Sequence, residues 1–189
     1  FFPAIGADHL TFAPYHCLMA VPEFWGALGL SLQTGGVATA LSLLLALIFV
    51  AQVGGESRIL APLLAIPHAA IAVGLAFLIA PSGWIMRALA PLLGFDRPPD
   101  LALVNDPAGF ALILGLVIKE TPFLVIAIAS AMAQLPVIRT RQIGASLGYG
   151  TLRIWALLIL PQLYPLIRLH ALVVLAYGLS VVDLALIFG

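Results

Sequence analysis

Apolar runs of about twenty residues recur four times along this chain, parted by more polar segments, and no other feature limits its fold as strongly. A run of that length wound as a helix rises about 30 Å, the thickness of a hydrocarbon core. Lipid offers no water to satisfy backbone N–H and C=O groups, so each run must bond its own backbone. A membrane barrel would need segments of about ten residues alternating in polarity, whereas these runs are uniformly apolar. The fold class this predicts is all-α, a polytopic transmembrane helical bundle of about four spans. Composition agrees: 63% of residues are hydrophobic and 8% are charged, where about a quarter of a soluble domain is charged.

The spans read as 25–51, 60–80, 108–133 and 162–188. Residues 1–24, with Asp8, His9, His16 and Glu23, read as an extracytoplasmic loop, and 52–58 as a tight polar turn ending at Arg58. The Pro- and Asp-rich stretch 81–107 reads as a loop containing an interface-lying helix at 84–93. In the first span, Ser31 with Gly35 and Gly36 with Ala40 have the spacing of small-residue pairs, which let helix backbones approach closely in lipid. Pro62 and Pro67 fall near the start of the second span.

Basic residues in the loops orient the bundle. Arg58, Arg139, Arg141 and Arg153 share one side, with Arg168 just inside the last span, whereas Arg87 and Arg97 lie opposite beside Asp96, Asp100 and Asp106. The 52–58 turn and the 134–161 segment are therefore expected in the cytoplasm, and 1–24 and 81–107 outside.

Several chemistries are excluded. Formal net charge is zero, so there is no basic footprint for nucleic acid. Cys17 is the only cysteine, which leaves no intrachain disulfide and no multi-cysteine metal site. Lys119 is the only lysine and follows no glycine-rich loop, so a phosphate-cradling loop of the Walker type is absent and ATP chemistry would need a partner. No pair among His9, His16, His68 and His170 has metal-site spacing on one helix. No catalytic residue, metal ligand or cofactor site is expected.

The segment between the last two spans is longer than a turn requires. Residues 137–147 can form a short amphipathic helix, Gly148 and Gly150 allow a sharp reversal, and 151–158 can form a second short helix. Pro161 then suits the first turn of the last span, where its missing N–H has no partner in any case. A helix–turn–helix protruding into the cytoplasm is the expected shape.

This segment resembles the cytoplasmic loop of binding-protein-dependent ABC importer permeases, whose pattern is Glu-Ala-Ala-x3-Gly-x9-Ile-x-Leu-Pro. Gly148 is followed by nine residues, then Leu158 in the Ile place, Ile159, Leu160 and Pro161. Gln142, Ile143 and Gly144 occupy the Glu-Ala-Ala places, so the acid has departed, and Ser146-Leu147-Gly148 resembles the common Thr-Leu-Gly. The resemblance implies a multi-pass subunit of a bacterial inner membrane, not itself an enzyme. Residues 25–189 would be part of its transmembrane domain, with a coupling loop at 134–161. Gln142, Gly144, Ala145, Ser146, Gly148, Leu158, Leu160 and Pro161 would dock on a separate ATP-binding-cassette ATPase. Its other implied partners are a second permease half, an extracytoplasmic solute-binding protein and membrane lipid. Pro67-x6-Gly74-Leu75 and Leu179-Ser-Val-Val-Asp183 resemble the thiamine and ferric-iron branch, in which two permease halves are often fused. The chain starts at Phe1 without Met or a charged leader and stops after an apolar run, which reads as an internal piece of a longer protein.

Lys119-Glu120-Thr121-Pro122 falls near the middle of the third span. A charge at that depth costs about 2.5–3.5 kcal/mol and faces the bundle interior or a water-filled path. Neighbours at i and i+1 do not meet on a helix, so each needs a partner elsewhere, and Asp183 near the outer end of the last span is a candidate for Lys119. Lys119, Glu120 and Asp183 are thus candidate translocation-path residues, with an interhelical structural ion pair as the plain alternative. His68 reads as a packed histidine. The rival function is an ion- or proton-coupled secondary transporter, with the same three residues as coupling groups.

Overall fold

The computed structural model describes residues 12–53, 60–92, 94–96, 104 and 106–188. Residues 1–11, including Asp8 and His9, most of the turn ending at Arg58, and Arg97 and Asp100 lie outside the described residues. Ten α-helices and one π-helical turn are described, with no strand among the described residues. After α1 (Ala13–Met19), the long α2 (Phe24–Val53) forms the first span. The short helices α3 (Leu60–Ala65), α4 (His68–Ile79) and α5 (Trp84–Leu92) carry the second apolar stretch. The third span is α6 (Phe110–Met132), followed by α7 (Val137–Ser146) and α8 (Thr151–Ile154). A π turn at Trp155–Ile159 leads into α9 (Leu160–Ser180), and α10 (Asp183–Phe188) comes last. Four helical stretches are long and apolar enough to cross a membrane: Phe24–Val53, His68–Leu92, Phe110–Met132 and Thr151–Ser180. The protein is an all-α, polytopic membrane bundle.

The centre of the bundle is α6, whose buried side chains run along most of its length. It runs parallel to α2: Gly109 at its start lies against Thr34, while Leu124, Val125 and Ile128 pack with Ala46 and Val50 farther along. The antiparallel α9 places Leu163 and Ile167 in that same far-end cluster and Gly178 against Gly35 at the other end. The two helices approach closely at that crossing, since a Cβ on Gly35 would stand 3.0 Å from the carbonyl carbon of Gly178 and 3.0 Å from the Leu179 side chain. The Ser31/Gly35 expectation thus finds its contact. The Gly36/Ala40 pair does not, because Gly36 has open space where its side chain would be and Ala40 is exposed.

The start of α6 shows how local chemistry fixes an element. Gly109 adopts a left-handed conformation (φ 71°) at the N-cap, where a side chain would also collide with Thr34. The Asp106 carboxylate accepts from the N–H groups of Phe110 (2.7 Å) and Ala111 (3.1 Å). Two of the four N–H groups a helix start leaves unpaired are thereby satisfied.

Two expected boundaries need correction. The second span is not one rod: Pro67 has no N–H to continue the ladder of α3, so the chain breaks at Ile66–Pro67 and restarts as α4. Pro62 lies in the first turn of α3, where proline is tolerated. The last span is also shorter than 162–188, because Val181 turns extended (φ −66°, ψ 127°) and α10 is a separate helix. It packs back on α4 and α6, with Leu184 and Phe188 buried among Ala72, Leu75, Ala111 and Leu116. Gly115 makes room for it, since a Cβ there would lie 3.0 Å from the Phe188 ring. A helix stands where one was expected at 84–93, as α5, burying Met86 and Ala90 and exposing Trp84 and Leu92; it falls within the apolar stretch His68–Leu92.

Candidate functional site

Two groups of residues stand out, one at the end of the bundle where α6 finishes and α9 begins, the other inside it.

At the end of the bundle, α7 and α8 form a closed hairpin. Gly148, with φ 76°, ends α7. Tyr149 N–H donates to the Gly144 carbonyl (3.0 Å) and Gly148 N–H to that of Ala145 (3.0 Å). These paired bonds form the Schellman arrangement, which needs a left-handed residue at the position Gly148 holds. Gly144 is the buried residue of α7, and a Cβ on it would stand 2.6 Å from Ile154 Cγ1 and 3.1 Å from Leu158 Cδ1. The two arms therefore touch through a glycine. Arg141 adds a cation–π contact, its guanidinium carbon 5.7 Å from the centre of the Trp155 ring.

The second arm differs from the expected separate helix 151–158. It runs through the π turn directly into α9, so Thr151–Ser180 forms one continuous apolar helix. Pro161 explains the turn. It offers no N–H, and the ladder shifts register so that Leu160 N–H donates to the Trp155 carbonyl, five residues back. The Gln162 amide also donates to the Leu158 carbonyl (2.6 Å).

The residues matched to the importer pattern divide accordingly. Gln142, Ala145, Ser146 and Gly148 are exposed on the hairpin; Gly144 is buried and Leu158 half-buried where the arms meet. Leu160 and Pro161 lie at the junction with α9. The Ser146 hydroxyl donates back to the Ile143 carbonyl (2.8 Å). Around them the hairpin exposes Ile138, Ile143, Leu147 and Leu152, the last at 86%.

Inside the bundle, Lys119 and Glu120 are both buried on α6 and take hold of the two sides of the Pro67 break. The Lys119 ammonium donates to the carbonyls of Ile66 (2.5 Å), Leu64 (2.9 Å) and Leu63 (3.4 Å). An ammonium has three donors, and the end of a helix leaves carbonyls without partners; here the two needs coincide. Asp183 is therefore not the partner of Lys119, because the carbonyls freed by Pro67 lie closer and take all three donors. Glu120 turns instead to His68, the first residue of α4, whose Nε2 shares a hydrogen bond with Oε1 at 3.3 Å. The His68 ring lies 4.7 Å from the Tyr177 ring, and the Tyr177 hydroxyl donates to Asp183 Oδ1 at 3.5 Å. A line Glu120–His68–Tyr177–Asp183 thus connects α6, α4, α9 and α10. His68 is thus more than the packed histidine the sequence suggests, and nothing in the sequence marks Tyr177. The signal that could have found His68 is its place directly after a proline that breaks an apolar span.

A cavity of about 350 Å³ lies between α3, α6 and α9, lined by apolar side chains with Ser130, Gln134 and His170. Among the described residues no three His, Cys, Asp or Glu side chains converge where they could hold a metal ion.

No family model matches the sequence. The chain is similar to the inner membrane ABC transporter permease protein YnjC of Escherichia coli (strain K12), with 29% identity over 193 residues. The similarity covers 99% of this chain and 35% of that protein, so the chain spans about a third of the relative's length.

Proposed function

We propose that this chain is part of a permease subunit of an ATP-binding-cassette importer in a bacterial inner membrane. The closed hairpin 137–159 carries the reading. Its left-handed glycine cap and the glycine contact between its arms give it a fixed shape, and its outward apolar side chains give a partner a surface to cover. Similarity to an inner membrane ABC transporter permease over nearly the whole chain supports it. In this reading residues 25–189 are part of the transmembrane domain and the hairpin lies in the cytoplasm, where its exposed residues Gln142, Ala145, Ser146 and Leu152 meet a separate ATPase subunit. A second permease half completes the pathway, and an extracytoplasmic binding protein delivers a small solute. The finer placement in the thiamine and ferric-iron branch rests on the Pro67-x6-Gly74-Leu75 and Leu179-Ser-Val-Val-Asp183 segments.

The ion-coupled carrier reading is weaker, because Lys119 commits its donors to backbone carbonyls and Asp183 lies with Tyr177. Co-purification with the ATPase tests the proposal. Leu152→Asp changes a side chain that touches little of its own chain and should abolish association while the permease still inserts. Gly148→Pro, which forces φ negative, should do the same by opening the hairpin. Association that survives both substitutions rules the docking role out.

A further inference from the structure

We propose that Glu120, His68, Tyr177 and Asp183 form a latch that holds two broken helices closed and is released from the hairpin. The inference rests on the permease reading above. Two breaks in apolar stretches meet at this line: α4 begins with His68 just after the Pro67 break, and α10 begins with Asp183 just after the Val181–Val182 break. Glu120 grips the first through His68 (3.3 Å), and Tyr177 joins them by its tilted ring contact with His68 and its bond to Asp183. The Lys119 ammonium stands apart from the line; it fixes α3 to α6 through three carbonyls and anchors the hinge.

The two arms of the hairpin reach the same line from different directions. Only residues 133–136 separate α7 from α6, which carries Glu120. The other arm is continuous through the π turn with α9, which carries Tyr177. A change in the angle between the arms therefore shifts Glu120 and Tyr177 relative to one another, with His68 between them. His68 retains 30% of its side-chain exposure although it follows a break inside an apolar bundle. A polar contact open on one side yields to such a shift more readily than a sealed one. Releasing it removes the polar hold at the starts of α4 and α10, so that only the apolar packing of Leu184 and Phe188 keeps α10 docked and it opens more often.

The test uses the full-length protein reconstituted with its ATPase, with Cys17 and any other cysteine replaced by serine and Leu184→Cys as reporter. Leu184 follows Asp183 on α10 and is fully buried against α4 and α6, so a cysteine there is shielded while the latch holds. The readout is the labelling rate with a membrane-impermeant maleimide. Glu120→Leu, which removes the acceptor that a glutamine would keep, and His68→Phe, which keeps a ring against Tyr177, should each raise the rate about tenfold, equivalent to about 1.4 kcal/mol. The double variant should be no faster than either alone, because both remove one contact. Unchanged rates, or increments that add in the double variant, overturn the latch. ATP with vanadate should raise the rate of the parent and leave Glu120→Leu at its already raised level. A parent deaf to nucleotide with Glu120→Leu still fast overturns release from the hairpin and counts against the permease reading, while the contact itself stands. A parent that responds while Glu120→Leu labels like the parent overturns the latch and leaves that reading in place.

Discussion

At the scale of single residues, Lys119 and Gly148 show two ways in which one position decides a local structure. The Lys119 ammonium replaces, for three carbonyls of a broken helix, the N–H donors that Pro67 interrupts. Lys119→Met leaves those carbonyls buried and unpaired, at about 1–3 kcal/mol for each group left without a partner. The variant should therefore be depleted from the membrane and unfold at lower temperature in detergent, whereas Lys119→Arg, which keeps donors in a stiffer fork, should recover part of the loss. Equal abundance and thermal stability for Lys119→Met and the parent would sink this account. Gly148 is the opposite case, since nothing lies within 4 Å of where its side chain would be. Its constraint is φ 76° alone, so Gly148→Ala should cost only about 1–2 kcal/mol by thermal unfolding. The two were unequally legible. Gly148 was readable because a reversal demands a residue free to turn left-handed. The partners of Lys119 were not, because the carbonyls of residues 63–66 carry no mark in sequence; only Pro67 marked where they would be freed.

At the scale of elements, the hairpin and the last span show what periodicity reads and what it misses. The two arms, the reversal at Gly148 and the start of the second arm at Thr151 follow from turn chemistry and stand as expected. The continuity of the second arm with α9 does not follow, because a proline in an apolar run ordinarily marks a boundary; a π turn lets the helix pass it. The contact of Gly144 with Ile154 was equally hidden, since closeness between two arms is tertiary and depends on the angle the turn imposes. That contact makes a prediction that belongs to the hairpin as a unit. Gly144→Ala puts a methyl into Ile154, and Ile154→Ala empties a buried position, so each alone should destabilise. Together they should cost less than their sum by about 0.5–3 kcal/mol, the range for residues in direct contact. Simple additivity in thermal unfolding would mean that the arms do not close through this pair.

For the whole molecule, the bundle is held where helices approach without side chains, and the question is which small residues do it. Hydrophobicity drives little association between helices already in lipid, so close packing has to. The first span offers two candidate pairs of identical spacing, and sequence cannot choose between them, since which face of α2 meets α9 depends on how α6 is wedged beside both. The structure chooses Gly35, whose added Cβ would stand 3.0 Å from the Gly178 carbonyl carbon and 3.0 Å from Leu179, whereas Gly36 has nothing within 4 Å. Neighbouring glycines thus supply a matched experiment. Gly35→Val should part α2 from α9 at the crossing and lower the unfolding temperature sharply, because the Gly178 backbone in its way cannot swing aside even where the Leu179 side chain can. Gly36→Val, one residue away with the same gain in volume, should leave stability close to that of the parent. The difference also bears on function: the crossing lies one residue from Tyr177, so a Gly35→Val protein that still inserts should speed labelling of the buried Leu184→Cys reporter, and Gly36→Val should not. If both valine variants unfold alike, the α2–α9 crossing is not the contact that organises the bundle.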